Sequence, residues 1–311
     1  MSARRTLVTW LRRLGPWLVA VAIIVVLSRR YDPAEVLAQM RAGDWRATLA
    51  YPMVLPFLYL PLHGLWDTLI LRGVLGGQAP QVVAPRYAEV LRGRAGTAVL
   101  MLLGYVFGHG GFGVWLARKT GAKARAVSGA VVYTMVSDLG ALGLVATVAT
   151  SFGNADVAPG VRVVAASVVA VPLALALVGP SALASTRAPF LAPWRALGRG
   201  LALLQICGRA VDIGLAVLLT WQAARAFGLA IPLSSFATYM PVVLLVTSLP
   251  FNVGGMGAAQ AAWLVFLPWA SGEKILAFQI VWQVFFAVGI VVRGIPFVRR
   301  VMREISAPSP E

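Results

Sequence analysis

Charged residues are scarce in this chain of 311 residues, and their scarcity argues against a soluble protein. Asp, Glu, Lys and Arg together make up 12% of the sequence, whereas a soluble globular domain carries about 25%. Hydrophobic residues make up 59%, and the mean hydropathy is +0.81. The composition therefore predicts an integral membrane protein.

Cysteines and long polar stretches are also lacking. The single cysteine, Cys207, lies in an apolar run, so we expect neither a disulfide framework nor a cysteine-based metal site. The longest polar stretch, residues 29–48, is only about 20 residues long and predicts an interfacial helix, with Trp45 and Tyr51 at headgroup level. No soluble domain is expected beside the membrane domain, which we assign to residues 1–311.

Sequence patterns of known catalytic centres are missing as well. The chain has no HExxH, acidic DxxD pair, Gly-x-Ser-x-Gly or Walker A sequence. Its two histidines are 46 positions apart and do not by themselves make a metal site. We therefore expect a protein that is not an enzyme, with no catalytic residues, no metal and no cofactor.

The net charge is nevertheless +16. In a soluble protein this excess would suggest nucleic acid as the partner. Here the arginines cluster between apolar runs, which indicates cytoplasmic loops facing anionic lipid headgroups. We therefore expect membrane lipids, and no nucleic acid, as partners.

Apolar runs predict six membrane spans. The first follows four arginines and ends at Ser28-Arg29-Arg30 without a small-residue cleavage site, so we interpret it as an uncleaved anchor. The predicted spans are residues 14–28, 49–71, 126–150, 161–184, 201–223 and 275–292.

Two glycine-rich stretches interrupt the remaining apolar sequence. "FGHGGFG" occupies residues 107–113 and "FNVGGMG" residues 251–257, and both follow the pattern Phe-x-x-Gly-Gly-x-Gly. The second lies in a run of 47 residues, 226–272, without any charged side chain. Glycines of this density predict broken helices, which we place in residues 95–117 and 236–270.

The distribution of basic residues predicts that both broken segments are re-entrant. With the N-terminus inside and both segments returning to the face they entered from, 19 of the 27 basic residues face the cytoplasm and seven face outside. If residues 95–117 cross instead, the count becomes 11 inside and 15 outside, which violates the positive-inside rule. We predict a bacterial inner-membrane protein of six spans and two re-entrant segments, with both termini cytoplasmic.

This topology makes the two broken segments parts of an inverted repeat. Residues 47–150 form the first repeat, residues 195–297 the second, and residues 298–311 a cytoplasmic tail. Inverted repeats with discontinuous helices are a transporter architecture. A half-helix starting after Gly113 or Gly257 would direct free N–H groups at the break and form an anion site. The alternative is that the glycines only allow close helix packing.

Several ionisable residues fall within apolar runs: Asp67, Asp138, Arg209 and Asp212, with His63 and His109 nearby. Arg209 and Asp212, three positions apart, are expected to be able to pair with each other. Asp138 has no base within four residues, so it requires a cavity, a basic partner from another helix, or a proton. His109 is either a titrating group or a packing residue.

These considerations give a set of candidate lipid-binding residues along both broken segments and the intramembrane helices. Gln260, one turn after the second glycine motif, is included as a potential headgroup donor. The set is His109, Gly110, Gly111, Gly113, Asp138, Arg209, Asp212, Asn252, Gly254, Gly255, Gly257 and Gln260, with Arg92 and Arg94 as headgroup-facing basic residues.

The stretch "LPFNVGGMGAAQ" (249–260), with the apolar span and basic tail after it, resembles the membrane domain of lysylphosphatidylglycerol synthases and their stand-alone flippase-like relatives. "WDTLILRG" (66–73) and "AEVLRGRAG" (88–96) are similar to two further stretches of that family. The similarity extends over about residues 10–303. Ala259 and Gln260 replace a charged pair typical of the family, and its soluble synthase domain is missing.

The resemblance implies movement of an anionic, aminoacylated or isoprenoid-type lipid between leaflets, without aminoacyl transfer. It also implies Asp138 at the acidic position of the span after the first broken segment. The alternative, favoured by the replaced charges at 259 and 260, is a non-transporting scaffold or regulator of a lipid or cell-envelope glycan enzyme. The oligomeric state and any coupling to an energy source are left open by the sequence.

Overall fold

A computed structural model describes residues 15, 18–75, 82–152, 159–182, 191–248 and 257–306. Over these residues all regular structure is helical, and five helices are long and apolar enough to cross a membrane. The predicted all-α, multi-pass membrane protein is confirmed at this level. The predicted first span, residues 14–28, lies partly outside the described residues. Residues 18–30 are described and are helical.

Helix α1 comprises residues 18–30. The following helices are α2 (Pro33–Ala42), α3 (Trp45–Leu75), α4 (Tyr87–Ala98), α5 (Tyr105–Thr120), α6 (Ala124–Phe152), α7 (Pro159–Ala182), α8 (Ala192–Ala196), α9 (Arg199–Ala226), α10 (Leu233–Ser248), α11 (Ala258–Trp263) and α12 (Gly272–Ser306). The five long apolar helices are α3, α6, α7, α9 and α12.

Four of the five long helices extend beyond the predicted spans at both ends, whereas α7 begins two residues before the predicted 161–184 and ends at Ala182. The largest difference is α12, which starts three residues before the predicted 275–292 and continues to Ser306. The basic residues of this end lie on the helix rather than in a tail, because Lys and Arg are good helix formers and neutralise the negative C-terminal end of the dipole. The stretch 29–48 contains the short helix α2, which has no buried residues, and Trp45 begins α3.

Helix α3 continues through three prolines, Pro52, Pro56 and Pro61. Proline removes a helical N–H donor and disturbs the carbonyls one turn earlier. Neighbouring helices supply donors in this region: Arg293 Nη1 of α12 donates to the Pro56 carbonyl at 2.5 Å, and the Tyr87 hydroxyl donates to the Pro61 carbonyl at 2.9 Å. The prolines thus tie α3 to α12 and to the start of α4.

The first broken segment, residues 87–120, consists of α4 and α5 joined by a 3-10 turn (Val99–Leu102). The two helices run antiparallel: a Cβ on Gly93 would meet Trp115, and one on Gly111 would meet Leu100 at 2.6 Å. The chain reverses at Gly104, whose φ of 151° and ψ of 149° are conformations that essentially only glycine adopts.

The predicted position of this break is therefore wrong. The Gly-Gly-x-Gly motif at residues 110–113 lies within α5, and no half-helix starts after Gly113. Glycine density indicated the broken segment but not the turn, because a single glycine with the required φ reverses the chain while the others lie in ordinary helix. Of Gly104 and the motif glycines of residues 107–113, only Gly104 has a positive φ.

The second broken segment, residues 233–266, begins with α10 and resumes with α11 and a 3-10 turn (Leu264–Phe266). Residues 249–256 lie outside the described residues. Helix α11 begins at Ala258, directly after Gly257, whose φ is 99°, as predicted for this half-helix. Aromatic contacts join the two parts, with the Phe236 and Phe266 rings stacked at 5.1 Å.

Both broken segments have their ends held close together. Val83 N–H donates to the Thr120 carbonyl at 3.4 Å across the ends of the first, and Lys119 pairs with Glu89 at 3.4 Å. The Lys274 ammonium donates to the Gly228 carbonyl at 2.8 Å across the ends of the second. In each segment, the residues at its two ends therefore lie close together.

The helix contacts have a pattern that is preserved when α3, α4 and α6 are exchanged with α9, α10 and α12. Helix α4 of the first broken segment packs against α12, and α10 of the second packs against α6; likewise α3 packs against α12, and α9 against α6. Helices α3 and α9 contact each other and run antiparallel, since Trp66 lies at Gly208 and Gly73 at Leu201. The long helices that precede the two broken segments thus have opposite directions.

Candidate functional site

Arg209, on α9, is the centre of a buried cluster of charged side chains. Its side chain is fully buried, and its guanidinium pairs with Asp67 of α3 and with Asp138 of α6, the latter at 2.5 Å. An ionised side chain in an apolar environment is costly unless it is paired. Arg209 therefore holds α9 against α3 and α6.

Asp67 is the most enclosed acid of the cluster. Its Oδ1 accepts from Arg209 Nη2 and its Oδ2 from Arg94 Nε at 2.5 Å, and its side chain is fully buried. Two guanidiniums on one carboxylate compensate the loss of hydration with charge-assisted hydrogen bonds. The carboxylate links the first broken segment to α9 through α3.

Arg94 lies inside the protein rather than at the headgroups, so its prediction as a headgroup-facing residue is wrong. Its guanidinium carbon lies 3.9 Å from the centre of the Phe112 ring, and its Nη1 lies 3.2 Å from His109 Nδ1. Antiparallel packing of α4 on α5 turns this side of α4 inward. Arg92 is half-buried on the same helix.

His63 and Asp212 form the side of the cluster where α3 meets α9. His63 Nδ1 lies 4.0 Å from Asp212 Oδ2, and His63 Nε2 lies 3.9 Å from Asp67 Oδ2. The imidazole stacks on Tyr59 at 4.8 Å between ring centres, and Arg209 Nη1 lies 3.3 Å from its Nε2. Asp212 Oδ1 accepts a long hydrogen bond, 3.4 Å, from the Trp66 indole.

Three buried polar atoms of the cluster have no hydrogen-bond partner within the described part of the chain. They are Arg94 Nη2, Arg209 Nε and Asp212 Oδ2. Most buried polar atoms in proteins are satisfied, so each of these requires an explanation. Two are guanidinium donors and one is a carboxylate acceptor, which leaves capacity for both an anion and a proton.

The structure answers two alternatives that the sequence left open. Asp138 has a basic partner from another helix, Arg209. Arg209 pairs with Asp67 and Asp138, and the expected pairing with Asp212 is not formed. The separation of three residues permits that pair, but two carboxylates from neighbouring helices occupy the guanidinium instead.

His109 of α5 is buried against Arg94, and thus belongs to the cluster.

The nearby glycines differ in the space available for a side chain. Gly111 is a close-packing position, because a Cβ would lie 2.6 Å from Leu100, whereas Gly110 has open space and a Cβ on Gly113 would make an ordinary contact with Val131 at 3.6 Å.

The second glycine motif lies mostly outside the described residues, including Asn252, Gly254 and Gly255. Gly257 precedes α11, and its N–H donates to the Gln260 side-chain oxygen. Gln260 is buried and its oxygen caps its own helix, so the residue has a structural role that the sequence interpretation did not assign.

Sequence reasoning missed two members of the cluster as site residues, Asp67 and His63. Both were visible as polar residues in an apolar run, and both lie one turn apart on the same face of α3. Asp67 pairs with Arg94, 27 positions along the chain, and with Arg209, 142 positions along. This three-dimensional pairing cannot be read from local spacing.

The cluster is closed in this structure. The exposed fraction of its paired side chains is 0% for Arg209 and Asp67 and reaches 15% at Asp138. Asp138 is therefore the edge of the cluster through which a ligand would first reach Arg209.

Comparison with protein-family models and with curated proteins finds no match to this chain.

Proposed function

We propose that the protein moves a lipid with an anionic headgroup between the leaflets of the bacterial inner membrane. The observation that carries the proposal is the buried charged cluster, in which Arg209 of the second repeat is held by Asp67 and Asp138 of the first. Buried intramembrane charges of this kind are typical of substrate pathways.

The proposed topology supports a transport cycle. Antiparallel α3 and α9, contacts preserved on exchange of the repeats, and two broken segments with their ends held together support an inverted repeat with two re-entrant segments. Movement of one repeat against the other would expose the cluster to each leaflet in turn. Both termini are then cytoplasmic.

The chemistry of the cluster supports a phosphate-bearing headgroup. Arg94 Nη2 and Arg209 Nε are buried donors without a partner within the described residues, and guanidinium groups bind phosphate with good geometry. A headgroup arriving at the Asp138 edge would compete with that carboxylate for Arg209, while the acyl or isoprenoid chains stay in the bilayer. The resemblance to flippase-like relatives of lysylphosphatidylglycerol synthases points to the same class of substrate.

The test is leaflet exchange in liposomes containing the purified protein. Fluorescent anionic, zwitterionic and isoprenoid lipids are reconstituted in parallel, and a membrane-impermeant quencher reports the fraction left in the inner leaflet. We expect faster exchange for a phosphate-bearing anionic lipid than in protein-free liposomes.

The variant Arg209→Lys tests whether that exchange depends on the cluster. Lysine keeps the charge but cannot bridge two carboxylates through a planar fork, so we expect exchange to be lost. Arg125→Lys, at an exposed position, is the matched control and should exchange lipid normally. Absence of exchange for all three lipid classes would reject transport and favour the scaffold.

A further inference from the structure

The carboxylates of the buried cluster outnumber its guanidiniums. Asp67, Asp138 and Asp212 face Arg94 and Arg209, so the fully ionised cluster carries one net negative charge when both histidines are neutral. A net charge enclosed in an apolar environment is costly. One bound proton makes the cluster neutral.

Asp212 is the carboxylate best placed to hold that proton. Each oxygen of Asp67 accepts from a guanidinium, and Asp138 accepts from Arg209. Asp212 has one long hydrogen bond from Trp66, and its Oδ2 has no partner among the described residues. Its residue exposure is only 1%, so bulk water does not replace the missing donor.

His63 gives this proton a second position. Its Nδ1 lies 4.0 Å from Asp212 Oδ2 and its Nε2 lies 3.9 Å from Asp67 Oδ2. Both distances exceed a hydrogen bond, but a small side-chain rotation would close either of them. Arg209 Nη1 faces the His63 imidazole in this structure. Because its positive charge disfavours a second positive charge on His63, the proton stays on Asp212 until Arg209 moves away.

We infer that His63 and Asp212 form a proton-binding site that is distinct from the Arg209–Asp138 edge and that links proton movement to lipid movement. The proton passes from Asp212 Oδ2 to His63 Nδ1 when Arg209 transfers from the carboxylates to a headgroup phosphate. In this step the O–H bond of Asp212 breaks and an N–H bond of His63 forms. The link to lipid movement rests on the proposed function, whereas the binding of the proton does not.

Several helices around this pair contribute charged or titratable groups, so the pair does not titrate in isolation. Helix α12 directs Arg293 to the Pro56 carbonyl, two turns or about 10 Å along α3 from His63. The other groups are Tyr59 and Asp67 of α3, Arg94 of α4, His109 of α5, Asp138 of α6 and Arg209 of α9.

Proton binding is tested on the purified full-length protein in nanodiscs by infrared difference spectroscopy during a pH titration. A protonated carboxylic acid has a C=O stretch that carboxylates lack. We expect one such band in the wild type, a displaced band in Asp212→Glu, which keeps the number of carboxylates, and a shift of the titration midpoint in His63→Gln. Asp44→Asn, which changes an exposed helix cap, should leave both band and midpoint unchanged.

The titration also gives the outcomes that would overturn the assignment. A band that is displaced in Asp138→Glu and unchanged in Asp212→Glu would place the proton at the headgroup edge. A wild type without a band would show that the cluster binds no proton on a carboxylate. Asp212→Asn is the second variant: it leaves two carboxylates for two guanidiniums, so we expect the band to be lost, and a band that persists would contradict the charge count.

Coupling is tested in liposomes with a pH-sensitive dye enclosed. With an anionic fluorescent lipid, we expect proton entry that accompanies lipid exchange in the wild type and exchange without proton entry in Asp212→Asn. Lipid exchange in the wild type without proton entry would overturn the coupling and leave the proposed function intact. Absence of lipid exchange would instead reject the proposed function, and with it the coupling, while the infrared result decides the proton site separately.

Discussion

At the scale of single residues, position within the cluster decides what a charged side chain does. Asp67 accepts from two guanidiniums and is fully buried, whereas Asp138 accepts from one and lies at the partly exposed edge. Removing one partner of a buried ion pair leaves an uncompensated charge and costs about 3–5 kcal/mol. The two acids should therefore differ in what their loss affects.

The pair Asp138→Asn and Asp67→Asn tests this difference. Asn is nearly isosteric and removes only the charge, so Asp138→Asn should keep a melting temperature close to the wild type, because Asp67 and Asp212, once both are ionised, still balance the guanidiniums of Arg94 and Arg209. Its lipid exchange should be strongly reduced, because Arg209 is no longer released and recaptured in the cycle. Asp67→Asn should melt at a clearly lower temperature in detergent, because two guanidiniums lose their shared carboxylate.

Both quantities are measured on the same preparations of the two variants. Normal exchange in a correctly folded Asp138→Asn protein would contradict a role of this edge in the lipid path. Equal melting temperatures for the wild type and Asp67→Asn would contradict the structural role of Asp67.

At the scale of elements, the glycines of the first broken segment have different tasks. Gly104 reverses the chain, Gly111 allows α5 to approach α4, and Gly110 faces open space. Sequence reasoning treated the motif as one break, because glycine content does not reveal which φ each residue adopts. The structure assigns the turn to a glycine outside the motif.

Gly111→Ala and Gly110→Ala are a matched pair on α5. An added methyl at Gly111 would lie 2.6 Å from the end of the Leu100 side chain, which must move to make room. At Gly110 there is room, and at both positions Ala is the better helix former by about 1 kcal/mol. Thermal melts should therefore rank Gly110→Ala above the wild type and above Gly111→Ala; a Gly111→Ala protein that melts above Gly110→Ala would contradict the described packing of α5 on Leu100.

Gly104→Ala tests the turn itself. With φ at 151° and ψ at 149°, a residue with a Cβ is strained by about 1–3 kcal/mol. We expect a lower melting temperature and a weaker association of α4 with α5, seen as faster amide hydrogen exchange near Val83 and Thr120, where the ends meet. Unchanged exchange and melting would mean that the chain reverses elsewhere.

At the scale of the whole molecule, the packing of the helices supports the proposed inverted repeat and its proposed orientation in the membrane. Ends held together at both broken segments and antiparallel α3 and α9 agree with the charge count of the sequence, which places 19 basic residues inside. These two arguments are independent, because one uses contacts and the other uses the positive-inside rule.

Single cysteines in a Cys207→Ala background test this orientation. We expect an impermeant thiol reagent added outside to label cysteines at Gly160, Ala230 and Ser271, and to miss those at Arg86, Lys123 and Gly198, all of which are exposed positions. Labelling at position 123 but not at 86 would mean that the first broken segment crosses the membrane. Labelling of all six after membrane permeabilisation is the control for reactivity.

The sequence by itself determined the membrane character, the long helices and the existence of two broken segments. Each of these follows from local composition, because burying backbone polar groups in lipid requires helices, and glycine weakens them. It also indicated that Asp138 requires a cavity, a basic partner from another helix, or a proton. The sequence alone does not identify the partner of Asp138, because the spacing within one helix reports only neighbours three or four residues away.

Only the tertiary structure decided the pairings of the buried cluster. Arg209 pairs with carboxylates 142 and 71 positions away and not with Asp212, three positions away. Arg94 turns inward although loop arginines ordinarily face headgroups, because Asp67 and the Phe112 ring compensate its charge there. Long-range electrostatic compensation inside an apolar environment depends on which helices meet, and that is fixed by the packing of the whole chain.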